Sequence, residues 1–389
     1  MNARTILLAA AIASASQTAQ ADINIGVIAS LTGPAAILGT DIKRAVALMP
    51  DSIDGEKIHY TVLDDASDPT TAVKNAHKLI SERNVDAIIG PNTNPTAAAA
   101  TPAASDSKTP IVIITPYIPP KDKRAWVFQS TQSVGLMAQC IVEDMVARGA
   151  KTVGYIGFAD SLGDIWYSEL LKAVSAAGIT VIADERYARS DTSVAAQTLK
   201  LLTAKPDVVL VGASGTPAAL PPIELRQRGY KGNIYYTHGV TSKDFLRIGG
   251  KQVEGALIPV GPVLVADQLP DTRLSKKTGV DFNNAYETKY GPGSRSTFAG
   301  STWDAWLLLA NAIPPALKSA KPGTPGFRQA LRDNLERTRE LPGVNGVYNM
   351  TPQDHIGLDH RGRVLVEVRH GQWKYIGAEA ERRTIATSK

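Results

Sequence analysis

From Asp22 onward, apolar positions along the chain alternate between two periods. Ile23–Ser30 is a nearly unbroken apolar run. Residues 35–48 follow with Ile37, Leu38, Ile42, Ala45 and Leu48 at helical spacing. Ile58–Leu63 predicts a second strand, 70–83 a helix, Asp86–Gly90 a third strand, 95–107 a helix and Ile111–Thr115 a fourth strand. This β-α repetition predicts a parallel sheet with helices on both faces, which suits strands as continuously apolar as Ile111–Ile114. The pattern then restarts. Strands are expected at 153–158, 179–184, 208–212 and 233–237, with helices at 165–177, 194–204 and 217–228. Further helices are expected at 281–290, 302–312 and 327–338. A hairpin of 363–369 and 372–376 turns at His370-Gly371. The expectation is α/β: two Rossmann-like lobes, each a parallel sheet flanked by helices.

Residues 1–21 break this rhythm. Arg4, the short apolar run Ile6–Ala13 and Ala19-Gln20-Ala21 read as a secretory signal peptide with cleavage before Asp22. The run is far shorter than the ~20 residues of a membrane span. With one cysteine in 389 residues, an internal disulfide is excluded, and so is a Cys-rich metal site. The formal charge of +5 is modest, and no dense Lys/Arg run with interleaved aromatics suggests nucleic acid. The expected protein is exported, soluble and without cofactor.

Catalytic motifs are weak. Gly212-Ala213-Ser214-Gly215-Thr216 approaches G-x-S-x-G but ends in Thr216. A turn after a buried strand accounts for its glycines. The His355 and His360 cluster matches no zinc spacing and reads as a polar turn. Loops at the carboxyl ends of parallel strands are the better candidates, because α/β proteins place ligands there. They carry Asn94 as a helix N-cap before Pro95, then Thr96, then Tyr117 after the fourth strand, Ser214, and His238 in a Gly-rich loop. These hydroxyls, amides and one aromatic form a binding inventory with no acid/base pair.

The ordered set IGVIASLTGPAAILG, DDASDP, AIIGPNTNPTAAAATPAA, PIVIITP and YTHGVTSKDFL resembles the leucine/isoleucine/valine-binding family of ABC-transporter periplasmic solute-binding proteins, of the type I periplasmic binding fold. The resemblance implies two lobes joined by three hinge crossovers, near Gln132–Gly135, Gly261–Gln268 and Val344–Asn349. Lobe 1 would combine 22–133 with 267–345, and lobe 2 134–266 with 346–389. The family's carboxylate-binding serine falls at Asn94 or Thr96. Its residues after the fourth strand fall at Tyr117 and Pro119, its aromatics at Leu38, Leu162 and near Phe298, and a tyrosine at Ser214. The glutamate that pairs an amino group falls at His238. The family's two disulfide cysteines fall near Ala66 or Ser67 and at Thr93, so that bridge is absent. The implied function is an extracytoplasmic binding subunit of an ABC importer, a non-enzyme and a monomer, partnered by membrane permease subunits with a cytoplasmic ATPase. Histidine in place of glutamate points to a carboxylate-bearing ligand with little positive charge, an aromatic acid. A branched-chain amino acid is the second reading, a periplasmic sensor for a receptor the third and an exported hydrolase the fourth.

Overall fold

The computed structural model describes residues 22–377, so the expected signal peptide at 1–21 lies outside the described residues. Among them, the chain builds two large sheets. The first contains β1 (Ile23–Ala29), β2 (Ser52–Ile53), β3 (Glu56–Asp64), β4 (Ala87–Ile89), β5 (Ile111–Ile113) and β6 (Val127–Gln129), in the order β2-β3-β1-β4-β5-β6. Only β2 pairs antiparallel. The second contains β7 (Thr152–Phe158), β8 (Thr180–Tyr187), β9 (Val208–Gly212), β10 (Asn233–Tyr236) and β11 (Leu257–Val260). A two-stranded ribbon, β12 (Leu341–Pro342) and β13 (Val347–Tyr348), intervenes before β14 (Val364–Arg369) and β15 (Gln372–Tyr375) complete that sheet, whose order is β15-β14-β11-β10-β9-β7-β8. β8-β7-β9-β10-β11 run parallel.

Both faces of each sheet are covered, which is why the strands read as apolar runs. On the first sheet, Leu38, Ile42, Phe298, Trp306, Leu309, Phe327 and Leu331 fill one side. Ala72, Ala76, Leu79, Ala97, Ala100 and Ala104 fill the other. A third cluster joins apolar residues of the helices Val134–Ala147 and Ser161–Ala177 to those of β7, β9 and β10. The expected hairpin forms with the expected turn: β14 pairs with β15 around His370 and Gly371, both at positive φ (54° and 64°).

Five strands escaped the pattern: β2, β12 and β13, each two residues long, and β6 and β11. β6 is three residues long, and Pro259 inside β11 argues against a strand. The structure tolerates it because β10 pairs with β11 only at Tyr235–Leu257, before the missing N–H of Pro259 would matter. The expected strand 179–184 runs on to Tyr187, which changes what stands at its carboxyl end.

The connections between the sheets lie side by side. Gln132 Nε2 donates to Gly362 O at 2.7 Å and to Asn345 O at 3.4 Å. A Cβ on Gly261 would fall 1.9 Å from Asn345 Oδ1. Asp304, fully buried, accepts from the amides of Val344 (2.6 Å) and Asn345 (2.9 Å) and from the Tyr348 hydroxyl (2.9 Å). Burial pushes its carboxyl up to about 7. Tyr348 and Met350 fall beyond the expected changeover at 345, yet they are buried in the first core. Tyr348 is held there by Asp304 and by Ser130 O at 2.6 Å. Among the described residues, no helix is long and apolar enough to cross a membrane.

Candidate functional site

The carboxyl ends of the parallel strands of both sheets face one cavity. Asn92, Thr93 and Asn94 reach it from beyond β4, Thr115 and Pro116 from beyond β5, and Phe298 from the start of the helix Thr297–Leu317. The second sheet contributes Leu162 and Trp166 after β7, Arg189 after β8, Ser214 after β9, and Thr237, His238 and Gly239 after β10. The cavity is narrow, about 290 Å³ including its open mouth. The halves touch beside it. Thr241 and Thr297 share a short hydroxyl contact, and Thr297 Oγ1 donates to His238 O at 3.4 Å. A broader groove of about 1070 Å³ lies between the helices Val134–Ala147 and Ser161–Ala177. It is lined from the second half alone and holds no buried unpaired polar atom.

The first wall spends most of its polar groups on itself. Thr93, extended at φ −126° and ψ 151°, is the N-cap of the helix Asn94–Asp106, and its hydroxyl accepts from Thr96 N at 3.4 Å. The cap is therefore Thr93 and not Asn94, because the Asn94 amide oxygen is taken by the Thr115 hydroxyl at 2.7 Å. The Thr96 and Thr93 hydroxyls meet at 2.8 Å, and Asn92 Oδ1 accepts from Ser30 N at 2.8 Å. Asn92 Nδ2 is buried without a partner.

The second wall is differently built. Asp160 caps the helix Ser161–Ala177 by accepting from Leu162 N (2.8 Å) and Gly163 N (3.3 Å). Its other oxygen takes Arg189 Nε at 2.5 Å. Arg189 Nη1 donates to Ser214 Oγ at 3.2 Å, and the guanidinium lies 4.2 Å from the Phe158 ring centre. Arg189 Nη2, Trp166 Nε1 and His238 Nδ1 are buried with no partner among the described residues. Burial pulls the His238 imidazole down to about 4, so it is neutral at pH 7. No Asp or Glu is among the residues lining the cavity.

Of the eight residues expected at the site, Asn94, Leu162, Ser214, His238 and Phe298 line this cavity together. Thr96 lies one turn behind the wall, fully buried. Leu38 is packed in the first core, with its Cδ2 4.0 Å from where a Cβ on Gly215 would stand. Tyr117 packs against the cluster around Ile113, and its amide is held by Gln129 Oε1 at 3.1 Å. Arg189, Trp166, Thr115 and Asn92 were not anticipated. The alternation Ala183, Glu185, Tyr187 could have extended the strand to Tyr187 and exposed Arg189 as a residue at a strand's carboxyl end.

The approach to G-x-S-x-G at 212–216 has a packing account. A Cβ on Gly212 would fall 1.9 Å from the Tyr155 hydroxyl, and Gly215 sits at φ +66°, so packing and backbone explain both glycines. His355 is more than part of a local polar turn. Its Nε2 meets Glu336 Oε1 at 3.0 Å, its Nδ1 faces the carbonyls of Arg124 and Val127, and its ring stacks on Phe128 at 4.1 Å. Among the described residues, no group of three or more His, Cys, Asp or Glu is placed to hold a metal.

A sequence profile for the family described as Periplasmic binding protein matches residues 22–371. The chain belongs to this family. Its two sheets, one cleft and packed connections are the type I architecture of these binding proteins. A curated relative, the Leu/Ile/Val-binding protein BraC3 of Rhizobium johnstonii, is 26% identical over 343 residues, covering 84% of this chain and 87% of its own. The crystal structure of an extracellular ligand-binding receptor from Rhodopseudomonas palustris HaA2 is 44% identical, with a TM-score of 0.90 over 91% of this chain and 99% of its own. A solute-binding protein of an R. palustris ABC transporter, solved with benzoate, shares the fold at TM-score 0.77 and 18% identity, over 92% of this chain and 96% of its own.

Proposed function

We propose that this periplasmic binding protein is the extracytoplasmic solute-binding subunit of an ABC importer and captures a small carboxylate-bearing ligand with an apolar or aromatic body between its two lobes. The ligand would bind with the walls apart and be enclosed as they meet, because it touches both only when they close. The observation that carries this reading is the cavity lining: groups from both sheets, several polar atoms without partners, and no carboxylate. An ammonium group desolvated there would find no anion, and neutral His238 stands where the resemblance places a glutamate. Leu162, Phe298 and Trp166 supply the apolar surface. The narrow interior supports the hinge reading, since a ring-sized acid enters only after the lobes separate about the connections at Gln132, Gly261 and Asn345. Export by the leader at 1–21, action as a monomer and docking on permease subunits complete the proposal.

The name of the Rhizobium relative favours a second reading, a branched-chain amino acid held through carbonyls and hydroxyls. Titration calorimetry with leucine, isoleucine, benzoate and 4-hydroxycinnamate separates the two. An acid bound at micromolar strength (about −8 kcal/mol) with no response to leucine is the expected result, and the reverse would overturn the acid reading. Ligand-dependent stimulation of the cognate transporter's ATPase distinguishes an importer subunit from a sensor.

A further inference from the structure

We infer that Arg189 is the anchor for the ligand's carboxylate, so that the acid group is held by the second wall and not by the helix start at Asn94. The inference rests on the reading of the cavity as a ligand site and assigns a pole within it. A guanidinium presents five N–H donors in a rigid fork. Here Nε is fixed by Asp160 at 2.5 Å, Nη1 by Ser214 at 3.2 Å, and the flat face by Phe158 at 4.2 Å. The fork is therefore held in position, with side-chain exposure of 17%, while Nη2 is buried and unpaired. A buried, charged N–H without an acceptor costs free energy that an incoming oxygen recovers.

The neighbouring polar atoms agree in sign. Trp166 Nε1 can only donate, and it is also unpaired. The Ser214 hydroxyl accepts from Arg189 and so has its own proton to give. Neutral His238 can turn an N–H toward an oxygen through its unpaired Nδ1. Asp160 balances part of the charge of Arg189, but its oxygens already serve two helix amides and Nε. Its negative charge is thus directed into the helix start and away from the cavity. Most donors of the first wall are consumed internally: Thr96 N and the Thr96 hydroxyl by Thr93, and the Thr115 hydroxyl by Asn94. Asn92 Nδ2 is left unpaired there, but it is a neutral amide and offers a carboxylate no charge-assisted hydrogen bond. The ligand class that fits is a monocarboxylate whose acid end points at β8.

The experiment pairs each acid with its amide. Calorimetry on the full chain would use benzoate with benzamide, 4-hydroxycinnamate with its amide, and leucine with leucinamide, on wild type, Arg189→Met, Arg189→Lys and, as a surface control, His360→Ala. For whichever carboxylate wild type binds, Arg189→Met should weaken it about 30- to 100-fold while changing the amide less than about threefold, which erases the preference for the acid. Arg189→Lys should recover part of that preference, and it is read alone should the Met variant fail to fold. An acid-over-amide preference that survives in both Arg189 variants overturns the assignment. Loss of leucine binding with Arg189 would uphold the anchor while removing the aromatic-acid reading. A wild type that binds no carboxylate of the panel would remove both.

Discussion

The two walls of the cleft come from similar β-α units and use their polar groups in opposite ways. Around Asn94, most hydroxyls and amides find their partners a few residues away or on the adjacent loop, Thr93 with Thr96 and Thr115 with Asn94, while Asn92 Nδ2 stays buried and unpaired. Around Arg189, the partners fix the group but leave it incomplete. Asp160, Ser214 and Phe158 hold the guanidinium on three sides, and Nη2, Trp166 Nε1 and His238 Nδ1 stay unpaired. A self-satisfied wall supplies shape and rigidity. An unsatisfied one supplies the free energy of recognition, because the desolvation cost of its groups is offset only when a ligand arrives. The ligand's orientation is thus decided less by which residues line the cavity than by which of them are already paired.

The contrast is sharpest at Arg189, where the loss of acid affinity should be the largest of any single change. On the other wall, Asn94→Ala or Thr115→Val removes one 2.7 Å hydrogen bond. Either should lower stability by about 1 kcal/mol and affinity less than about tenfold, measured by denaturant unfolding beside calorimetry. A 100-fold affinity loss there would move the binding pole to the first wall.

Next in size is His238→Ala, expected to weaken binding about tenfold through a lost donor and ring surface. The same change at His355 should leave affinity unchanged. Its cost is stability, about 2 kcal/mol, because its ring bridges Phe128 and Glu336 far from the cavity. Equal effects on binding at the two histidines would contradict the site.

The pH response follows from the same burial. Folded His238 titrates near 4 against an ordinary 6.5, so between those values the unfolded chain binds more protons at this site. The stability it contributes is complete above pH 6.5 and is lost as pH falls toward 4, by a few kcal/mol. Asp304 acts in the reverse sense. Its folded value of about 7 lies above the ordinary 3.8, so it favours the folded state as pH falls from 7 toward 4. Thermal melts of His238→Asn against wild type should diverge with pH between 6.5 and 4, the wild type losing relative stability on acidification; parallel curves would show His238 to be solvated.

The smallest effect is expected where the walls meet. Thr297→Val removes the contacts to Thr241 and His238 O and should shift the population toward the open form, lowering affinity about three- to fivefold. Solution scattering would register the larger radius of the unliganded variant, and an unchanged radius and affinity would show the contact to be incidental to closure.

Much of the architecture was legible because it is written in local periods. Apolar runs between amphipathic helices announce strands covered on both faces, and His370-Gly371 announces its hairpin. The strands that escaped were too short to show a period, such as Val127–Gln129, or contained a discordant residue, such as Pro259. The helix Val134–Ala147 escaped although Val134, Met137, Ala138, Ile141 and Met145 carry a helical period. The strand-end rule likewise brought Asn94, Ser214 and His238 to one cavity, and residues carried over on resemblance added Leu162 and Phe298. Tyr117 packs instead against the cluster around Ile113, with its amide held by Gln129.

By itself, then, the amino-acid order determined two α/β units and the strand ends at which candidate binding residues gather, and a resemblance set His238 where a glutamate would receive an amine. The tertiary structure alone decided which polar groups of the cavity are already paired, and that Arg189 is held in place with one nitrogen unpaired. Whether a donor is spent or free depends on partners distant in the chain: Asp160 lies 29 residues before Arg189 and Ser214 25 after. Hydrophobic periodicity repeats within a few residues and can be read along the chain; hydrogen-bond satisfaction is a count over neighbours in space, and it exists only once the chain has folded.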